Sequence, residues 1–194
     1  MTRVVALLRA VNVGGRSVAM AELRRALEAA GYPGVQTYLQ SGNVVFEPAD
    51  DDPRGEEDAL EHLIEREFGL ATRALVLTAD EIGRVAAANP FTTGKRAGTS
   101  TADEKTLHVT YLFERVAADA FAALELPAVE GEQALLADGG AVGPAMAGRA
   151  VYLRLPHGYG RSKLTNAWFE RVLATPATTR NWRTTTALAA LTRG

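Results

Sequence analysis

Two stretches in the second half of the sequence concentrate side chains that recognise anions. The first, residues 157–163, contains Arg161 and Lys163 at the expected start of a helix, and the second, residues 179–182, contains Arg180. A guanidinium group offers a planar pair of donors that matches a carboxylate or phosphate, and tyrosine or tryptophan can stack on a flat ring. Three cations on one edge repel one another unless an anion balances them. The predicted ligand-binding residues of this C-terminal edge are Tyr159, Arg161, Ser162, Lys163, Asn166, Arg180, Asn181 and Trp182.

Two glycine-containing turns in the first half form a second candidate region. One turn follows the first strand-like run, and the other joins two short runs further along. Exposed backbone N–H groups beside a helix N-terminus suit an anion. The predicted ligand-binding residues of this N-terminal edge are Arg9, Asn12, Gly14, Gly15, Gln40, Ser41 and Asn43. A purely structural role stays open at both edges, because these glycines are also typical of turns with positive φ and Ser162 of a helix cap.

Strand-like and helical patterns alternate in the first half and predict how these residues are positioned. The predicted strands are Val4–Leu8, Val35–Leu39, Val44–Phe46 and Thr72–Leu77. The predicted helices lie at residues 18–30, 60–68 and 80–88. The order β-α-β-β-α-β brings the loop after strand one and the hairpin between strands two and three to the same edge of a sheet.

The same order of elements restarts in the second half. The predicted strands are Leu107–Phe113, Val129–Leu136, Val151–Leu155 and Ala177–Thr179. The predicted helices are Ala117–Leu124, Ser162–Leu173 and Trp182–Leu191, with a glycine-rich loop at Asp138–Gly148. We therefore predict an α+β fold, a tandem of two ferredoxin-like units with antiparallel sheets plus connecting and C-terminal helices. The predicted domains are residues 1–90 and 106–194, joined by a flexible linker at 91–105.

The composition narrows the class of protein. The chain has 194 residues, a formal net charge of -2 and no cysteine. Disulfides and thiolate metal sites are therefore excluded, and a cytoplasmic location is expected. No run approaches the roughly 18 apolar residues that a membrane span requires, so no membrane association is expected. The negative charge makes nucleic acid a less favoured partner, and the sequence leaves the oligomeric state open.

No recognisable catalytic constellation is present, so the sequence does not decide whether the protein is an enzyme. The Gly-x-Ser-x-Gly elbow of hydrolases is absent. His157 is the one histidine in a candidate ligand loop and is the one to test as an acid or base. The acidic run at residues 50–58 is typical of a solvated helix N-terminus and not of a metal site. We expect no cofactor and no metal.

Several stretches carry a family resemblance. Residues 7–15, 20–24 and 37–46 look like the N-terminal hallmark of the bacterial family catalogued as domain of unknown function 1697. Residues 160–166 and 177–182 are similar to its C-terminal hallmark. The resemblance implies a tandem of ferredoxin-like units. It implies no established activity, cofactor or catalytic residue.

Three hypotheses for function follow. The first is binding of a small phosphate- or carboxylate-bearing ligand, including a nucleotide, at the C-terminal edge. The second is binding of RNA or single-stranded DNA, which needs aromatic and basic residues on an open sheet face. The third is a protein-interaction or assembly module. Fold alone cannot choose among them.

Overall fold

Eight strands and seven α-helices form the parts of the chain that the computed structural model describes, namely residues 3–12, 18–49, 54–92, 103–127 and 129–194. The first elements are β1 (Val4–Leu8), α1 (Met20–Ala29), β2 (Gln36–Thr37), β3 (Asn43–Phe46), α2 (Gly55–Phe68), β4 (Ala74–Thr78) and α3 (Ala79–Ala87). A 3₁₀ helix at Glu104–Thr106 precedes β5 (Leu107–Leu112), α4 (Ala118–Ala122), β6 (Gln133–Leu136), α5 (Gly139–Val142) and β7 (Ala150–Arg154). A second 3₁₀ helix at Tyr159–Arg161 precedes α6 (Asn166–Leu173), β8 (Ala177–Asn181) and α7 (Trp182–Leu191).

The strands form two four-stranded antiparallel sheets with the same order. The first sheet runs β2-β3-β1-β4 and the second β6-β7-β5-β8. In the first sheet Val5 lies opposite Val45 on one side and Leu77 on the other. In the second sheet Val109 lies opposite Tyr152 and Arg180. The predicted α+β class with two antiparallel sheets is confirmed.

The core of the first sheet lies between one sheet face and the two helices α1 and α2. Val4, Ala6 and Leu8 of β1 are buried in one cluster with Leu23 of α1 and Ile64 of α2. The alternate residues of β1, which point to the opposite face, are also fully buried. A strand that is buried on both faces appears in the sequence as a continuous apolar run, which is why β1 was recognisable from its residues alone.

The core of the second sheet has a different strand pattern. Leu112 of β5, Val151 of β7 and Ala177 of β8 cluster with Phe169 of α6. Because side chains alternate along a strand, Leu107, Val109 and Tyr111 of β5 point to the opposite face, where they are also buried. Tyr111 donates a hydrogen bond to Thr185 Oγ1 at 3.3 Å on that face. Burial raises the pKa of Tyr111 to about 12.

The bounds of several elements differ from the sequence prediction, among them β2, which is shorter than the predicted Val35–Leu39, and two differences in the second unit have a local cause. The predicted glycine-rich loop contains α5, because the carboxylate of Asp138 accepts the N–H groups of Gly140 (2.8 Å) and Ala141 (3.2 Å) and caps a short helix. The strand predicted at Val129–Leu136 begins only at Gln133. A tight turn precedes it, in which the N–H of Glu132 donates to the carbonyl of Val129 at 3.0 Å.

The chain divides into two units, Met1–Ile82 with Leu188–Gly194 (the first unit) and Gly83–Ala187 (the second unit). The linker predicted at 91–105 falls largely on residues 93–102, which lie outside the described residues, so the predicted domain boundaries stay a prediction. Within the described residues, no helix is both long and apolar enough to cross a bilayer.

Candidate functional site

The C-terminal edge is built where β7 and β8 end. Both strands pair antiparallel with β5, so they run parallel to each other and the segments after them leave the sheet at the same edge. A side-chain hydrogen bond from Thr179 Oγ1 to Asn166 Oδ1, 2.6 Å long, joins the middle of β8 to the start of α6. The two segments thus leave the sheet at one edge, and their joint role in binding a ligand stays a prediction.

Two hydroxyl groups shape the start of α6. Ser162 Oγ accepts the N–H of Leu164 at 3.0 Å, and Thr165 Oγ1 accepts the N–H of Trp168 at 3.3 Å. Thr165 has an extended backbone conformation and is the residue that caps the helix. α6 therefore begins at Asn166, four residues after the predicted start at Ser162.

Tyr159 and Asn166 connect α6 to the sheet. The Tyr159 hydroxyl accepts the N–H of Asn166 at 3.2 Å. The Tyr159 ring stacks on His108 of β5, with ring centroids 5.3 Å apart and an angle of 28° between the planes. These two predicted site residues thus hold the first turn of α6 in position.

Arg180 lies in a different environment from the other two predicted cations. It is 6% exposed, whereas Arg161 and Lys163 are exposed at the surface. Its Nη1 donates to Thr178 Oγ1 at 2.7 Å and to the Thr179 carbonyl at 3.0 Å. Burial lowers the pKa of Arg180 to about 10, and the nearby tyrosines partly oppose this shift. Arg180 therefore keeps its charge at neutral pH but does not share a surface with Arg161 and Lys163.

The last two predicted residues of this edge have structural contacts. The side-chain carbonyl of Asn181 accepts the N–H of Thr184 at 2.8 Å and so caps the first turn of α7. Trp182 is 4% exposed and belongs to the core. Neither contact tests whether these residues also bind a ligand, and that part of the prediction stays a prediction.

An open groove of about 480 Å³ runs beside α6. We call it the α6 groove, and it is lined by Pro127, Ser162, Lys163, Thr165, Ala167, Trp168 and Arg171. Ala167 and Arg171 are four residues apart, which places them along one side of α6, and Lys163 lies in the segment that leads into the helix. Trp168 is half-buried and packs its ring edge-on against Phe169, with centroids 4.9 Å apart. The groove therefore combines two cationic side chains with an aromatic wall.

The N-terminus of α6 offers a backbone donor to the same groove. The N–H of Asn166 and that of Trp168 already have acceptors. The N–H of Ala167, which lies between them and lines the groove, makes no hydrogen bond within the described part of the chain. A free N–H in the first turn carries the positive end of the helix dipole and favours an anion.

The sequence prediction missed Trp168 and Arg171. In the structure Trp168 packs against the core cluster of the second sheet and also lines the groove. The signal that was available is spacing, since Arg171 follows Trp168 by three residues, which places the two side chains on one face of α6. His157, the histidine chosen for testing, is exposed and does not line the groove.

His108 provides a pH-dependent contribution to stability beside this edge. Burial lowers its pKa below the ordinary value of 6.5, and a backbone hydrogen bond with Thr106 partly opposes the shift. The folded chain therefore binds a proton here less readily than the unfolded chain does. The contribution of His108 to the free energy of unfolding is therefore fully present above about pH 6.5. It decreases as the pH falls through that value toward the pKa of the folded state.

We expect the free energy of unfolding to decrease less between pH 7 and pH 5 in His108→Gln than in the wild type, because the variant lacks the buried titrating group. Urea midpoints across this range, followed by tryptophan fluorescence, measure the effect. His62→Gln is the control, since His62 is exposed on α2. If His108→Gln lost as much free energy of unfolding between pH 7 and pH 5 as the wild type does, His108 would not be the cause of the loss.

At the N-terminal edge, Asn12 links the segment after β1 to the turn before β3. The Asn12 side chain donates to the carbonyl of Gln40 at 2.7 Å, and its oxygen accepts the N–H of Val18 at 2.6 Å. Asn43 is fully buried and donates to Ser41 Oγ at 2.9 Å. The two turns are thus brought together by amide side chains that serve the backbone.

The remaining residues of the N-terminal edge differ in exposure. Gln40 and Ser41 are exposed, and Arg9 is half-buried, with its carbonyl accepting a 2.6 Å hydrogen bond from Thr72 Oγ1. Gly14 and Gly15 lie outside the described residues. Residues 50–53, which include the three aspartates of the acidic run, lie outside them as well. The described residues contain no group of three or more His, Asp or Glu side chains able to hold a metal ion.

Comparisons with known proteins agree with this architecture. A conserved bacterial protein, SP0830 from Streptococcus pneumoniae, is similar in structure, with a TM-score of 0.68 over 100% of this chain and 99% of that chain. The two sequences are 20% identical, so the likeness concerns the fold alone. A search of curated proteins found no match. The family model described as "Protein of unknown function (DUF1697)" matches residues 1–140, which excludes the C-terminal hallmark. Since this match covers well over half of the sequence, the chain belongs to the DUF1697 family.

Proposed function

We propose that the second unit binds a small anionic ligand, with a phosphate or carboxylate group, in the α6 groove. One observation carries the proposal. Lys163 and Arg171 line the same groove as the free N–H of Ala167 in the first turn of α6. All three are positive or partly positive, and none of the residues lining the groove is acidic.

The electrostatics of the groove favour an anion over a neutral ligand. Lys163 and Arg171 are exposed, so each keeps its charge in water at little cost. Lys163 lies just before the N-terminus of α6 and Arg171 lies in its last turn, so the groove has a cationic side chain near each end of the helix. An anion in the groove would lower the repulsion between these two charges. Arg171 offers the planar fork that suits a carboxylate or phosphate, while Lys163 acts as a point charge.

The aromatic wall narrows the class of ligand. Trp168 lines the groove and is held by its edge-on contact with Phe169. An indole face stacks well on another flat ring. An anion that also carries a ring, such as a nucleotide, therefore uses more of the groove than a simple carboxylate does. The groove hydroxyls of Ser162 and Thr165 serve as caps, so we propose binding and assign no catalytic step.

We also infer that both units have the ferredoxin-like topology. Each sheet has the strand order two-three-one-four within its own unit, and each unit has a helix between its first and second strands and between its third and fourth. That order and those crossovers are what the ferredoxin-like motif requires. The cytoplasmic location expected from the lack of cysteine stays a prediction.

Binding of RNA or single-stranded DNA is the weaker alternative. That function uses an open sheet face with exposed aromatic residues. Here Val5, Leu7 and Val45 in the first sheet and Tyr111 and Tyr152 in the second sheet are buried. No described face of either sheet therefore offers such a platform.

Thermal unfolding tests the proposal directly. The wild type would be screened against nucleotides, phosphorylated metabolites, simple carboxylates and a short RNA. A ligand at ten times its Kd should add about 1.4 kcal/mol to the free energy of unfolding, or roughly 3–5 °C for a chain of this size. We expect this shift in the wild type and its loss in the double variant Lys163→Ala, Arg171→Ala.

A charge-matched control separates the groove from general electrostatics. The double variant Lys105→Ala, Arg183→Ala removes two exposed cations of the same unit that do not line the groove. We expect it to keep the wild-type shift. An equal shift in all three proteins, or no shift with any compound, would reject the α6 groove as an anion site.

A further inference from the structure

The edges of the two sheets are protected unequally. On β4, the outward N–H groups of Ala74, Val76 and Thr78 donate to carboxylates at 2.8, 2.9 and 2.8 Å. The acceptors are Glu61, Glu57 and Glu81, in the same order. An edge strand whose N–H groups are occupied in this way cannot pair with another chain.

The corresponding edge of the second sheet has the same device. The N–H of Ala177 on β8 donates to a carboxylate oxygen of Glu170 on α6 at 3.0 Å. A glutamate of α6 thus occupies one N–H of β8, in the same way that three glutamates occupy N–H groups of β4. The opposite end of the second sheet is β6, and it is built differently.

β6 presents backbone groups to the open edge. The N–H of Ala137 donates to the carbonyl of Ala150 at 2.8 Å, which makes these two residues a hydrogen-bonded pair. Such pairs alternate along an antiparallel ladder, so the backbone groups of Gln133 and Leu135 also bond to β7. The N–H and C=O groups of Ala134 and Leu136 therefore point away from β7. In the described part of the chain no side chain or backbone group pairs with these outward groups.

A cleft of about 490 Å³ lies along this edge and contains a buried carboxylate. We call it the β6 cleft, and it is lined by Leu126, Glu132, Gln133, Ala134 and Leu135. Glu132 is 7% exposed and carries the one charge among these residues.

The carboxylate of Glu132 is only half satisfied. Its Oε2 accepts the N–H of Val129 at 3.2 Å, whereas its buried Oε1 has no hydrogen-bond partner among the described residues. A buried acceptor without a partner costs free energy that a donor, best a cation, would recover.

We propose that β6 binds an extended peptide with a basic side chain, which adds a fifth strand to the second sheet. The outward groups of Ala134 and Leu136 would supply the backbone hydrogen bonds of such a strand. A lysine or arginine of the peptide would donate to Oε1 of Glu132. Val129, which is 44% exposed and next to this carboxylate, offers an apolar contact for a neighbouring peptide side chain.

Charge argues against a second copy of this chain as the occupant. Residues 129–139 contain Glu130, Glu132 and Asp138 and neither lysine nor arginine. Two copies paired through β6 would therefore bring carboxylates together, and Oε1 of Glu132 would gain no cation. Like charges facing each other across strands are destabilising.

An NMR titration of the full chain with three peptides tests this proposal independently of the α6 groove. The first two are acetylated, amidated pentapeptides of alternating threonine and valine; one has a central lysine (the lysine peptide) and the other a central glutamate (the glutamate peptide). The third is the lysine peptide with N-methyl groups at alternate residues. We expect the lysine peptide to shift the amide signals of Ala134 and Leu136 and to slow their hydrogen exchange. The glutamate peptide should bind at least about tenfold more weakly than the lysine peptide, and the N-methylated peptide should not bind.

Two variants assign the contacts. Glu132→Gln should reduce the preference for lysine over glutamate by about tenfold. Ala134→Pro removes an outward N–H and leaves the hydrogen bonds to β7, so it should weaken the binding of both the lysine and the glutamate peptide. Tryptophan fluorescence checks that each variant is folded, and if Ala134→Pro is not, Glu132→Gln and the N-methylated peptide still decide the question.

Three results would overturn the proposal. The first is a titration in which no peptide shifts the amides of Ala134 and Leu136. The second is an equal affinity for the lysine and glutamate peptides in the wild type. The third is a dimer in sedimentation experiments without peptide that Ala134→Pro dissociates, because the occupant of β6 would then be a second copy.

Discussion

Gly148→Ala is expected to destabilise the second unit by about 3 kcal/mol or more. Gly148 has φ +69°, and a Cβ built on it would lie 2.3 Å from the carbonyl oxygen of Val116 and 3.1 Å from Cγ of Arg115. The first neighbour is backbone, so it cannot move aside like the end of a flexible side chain. The left-handed conformation contributes roughly 1–2 kcal/mol of this loss and overpacking a further 1–3 kcal/mol.

The backbone around Gly148 also has little freedom to relax. Its carbonyl accepts the N–H of Val116 at 2.9 Å, and its own N–H donates to the carbonyl of Ala137 at 3.0 Å. Urea unfolding followed by tryptophan fluorescence measures the effect, because both tryptophans of the sequence, Trp168 and Trp182, belong to the second unit.

Gly131→Ala is the matched control for this prediction. Gly131 has φ +84° in the same unit, but a Cβ there would meet nothing closer than Cγ of Pro156 at 3.4 Å. Gly131→Ala should therefore reduce the free energy of unfolding only by the cost of the left-handed backbone conformation, about 1–2 kcal/mol. If both variants lost the same free energy, the contact with Val116 would not be the cause.

Phe169→Ala is expected to cost about 3–5 kcal/mol and to abolish binding in the α6 groove. Phe169 is fully buried and is the residue through which α6 reaches the cluster containing Leu112 and Ala177. Its ring also supports Trp168, which forms the wall of the groove. Removing the ring leaves a cavity and loosens the helix that positions Trp168 and Arg171.

Two further substitutions on and near this helix make the test specific. Phe169→Leu keeps most of the volume and should cost about 1.5 kcal/mol or less. Arg171→Ala, at an exposed position on the same helix, should change the free energy of unfolding by no more than about 0.5 kcal/mol while weakening the anion shift. A large loss of stability in Arg171→Ala, or a near-neutral Phe169→Ala, would contradict the roles assigned to them.

The parts of the fold that were predicted correctly have local causes. β1 was predicted at Val4–Leu8 and α7 at Trp182–Leu191, and both bounds match the structure. An apolar run or an amphipathic pattern is written within the element itself, so it survives without knowledge of the neighbours. The start of α6 was misplaced because Ser162 and Thr165 are both good caps, and which one begins the helix depends on the loop that leads into it.

The candidate site divides in the same way. The amino-acid sequence by itself determined that cationic residues cluster around residues 161–180 and that β7 and β8 end at one edge, since chain order and strand direction imply this. Which face each side chain occupies was decided by tertiary pairing. Arg180 lies beside Val109, some seventy residues earlier in the chain, and is buried on that face.

The sequence therefore determined the family, the order of the elements and the residue types available for binding. Only the tertiary structure decided that Lys163 and Arg171 share a groove and that Arg180 does not line it. It also decided that the outward groups of β6 have no partner among the described residues, whereas glutamates accept three N–H groups of β4 and one of β8. The physical reason is range. Periodicity and caps act over a few residues, whereas exposure, register and the partner of a backbone N–H are set by segments far apart in the chain.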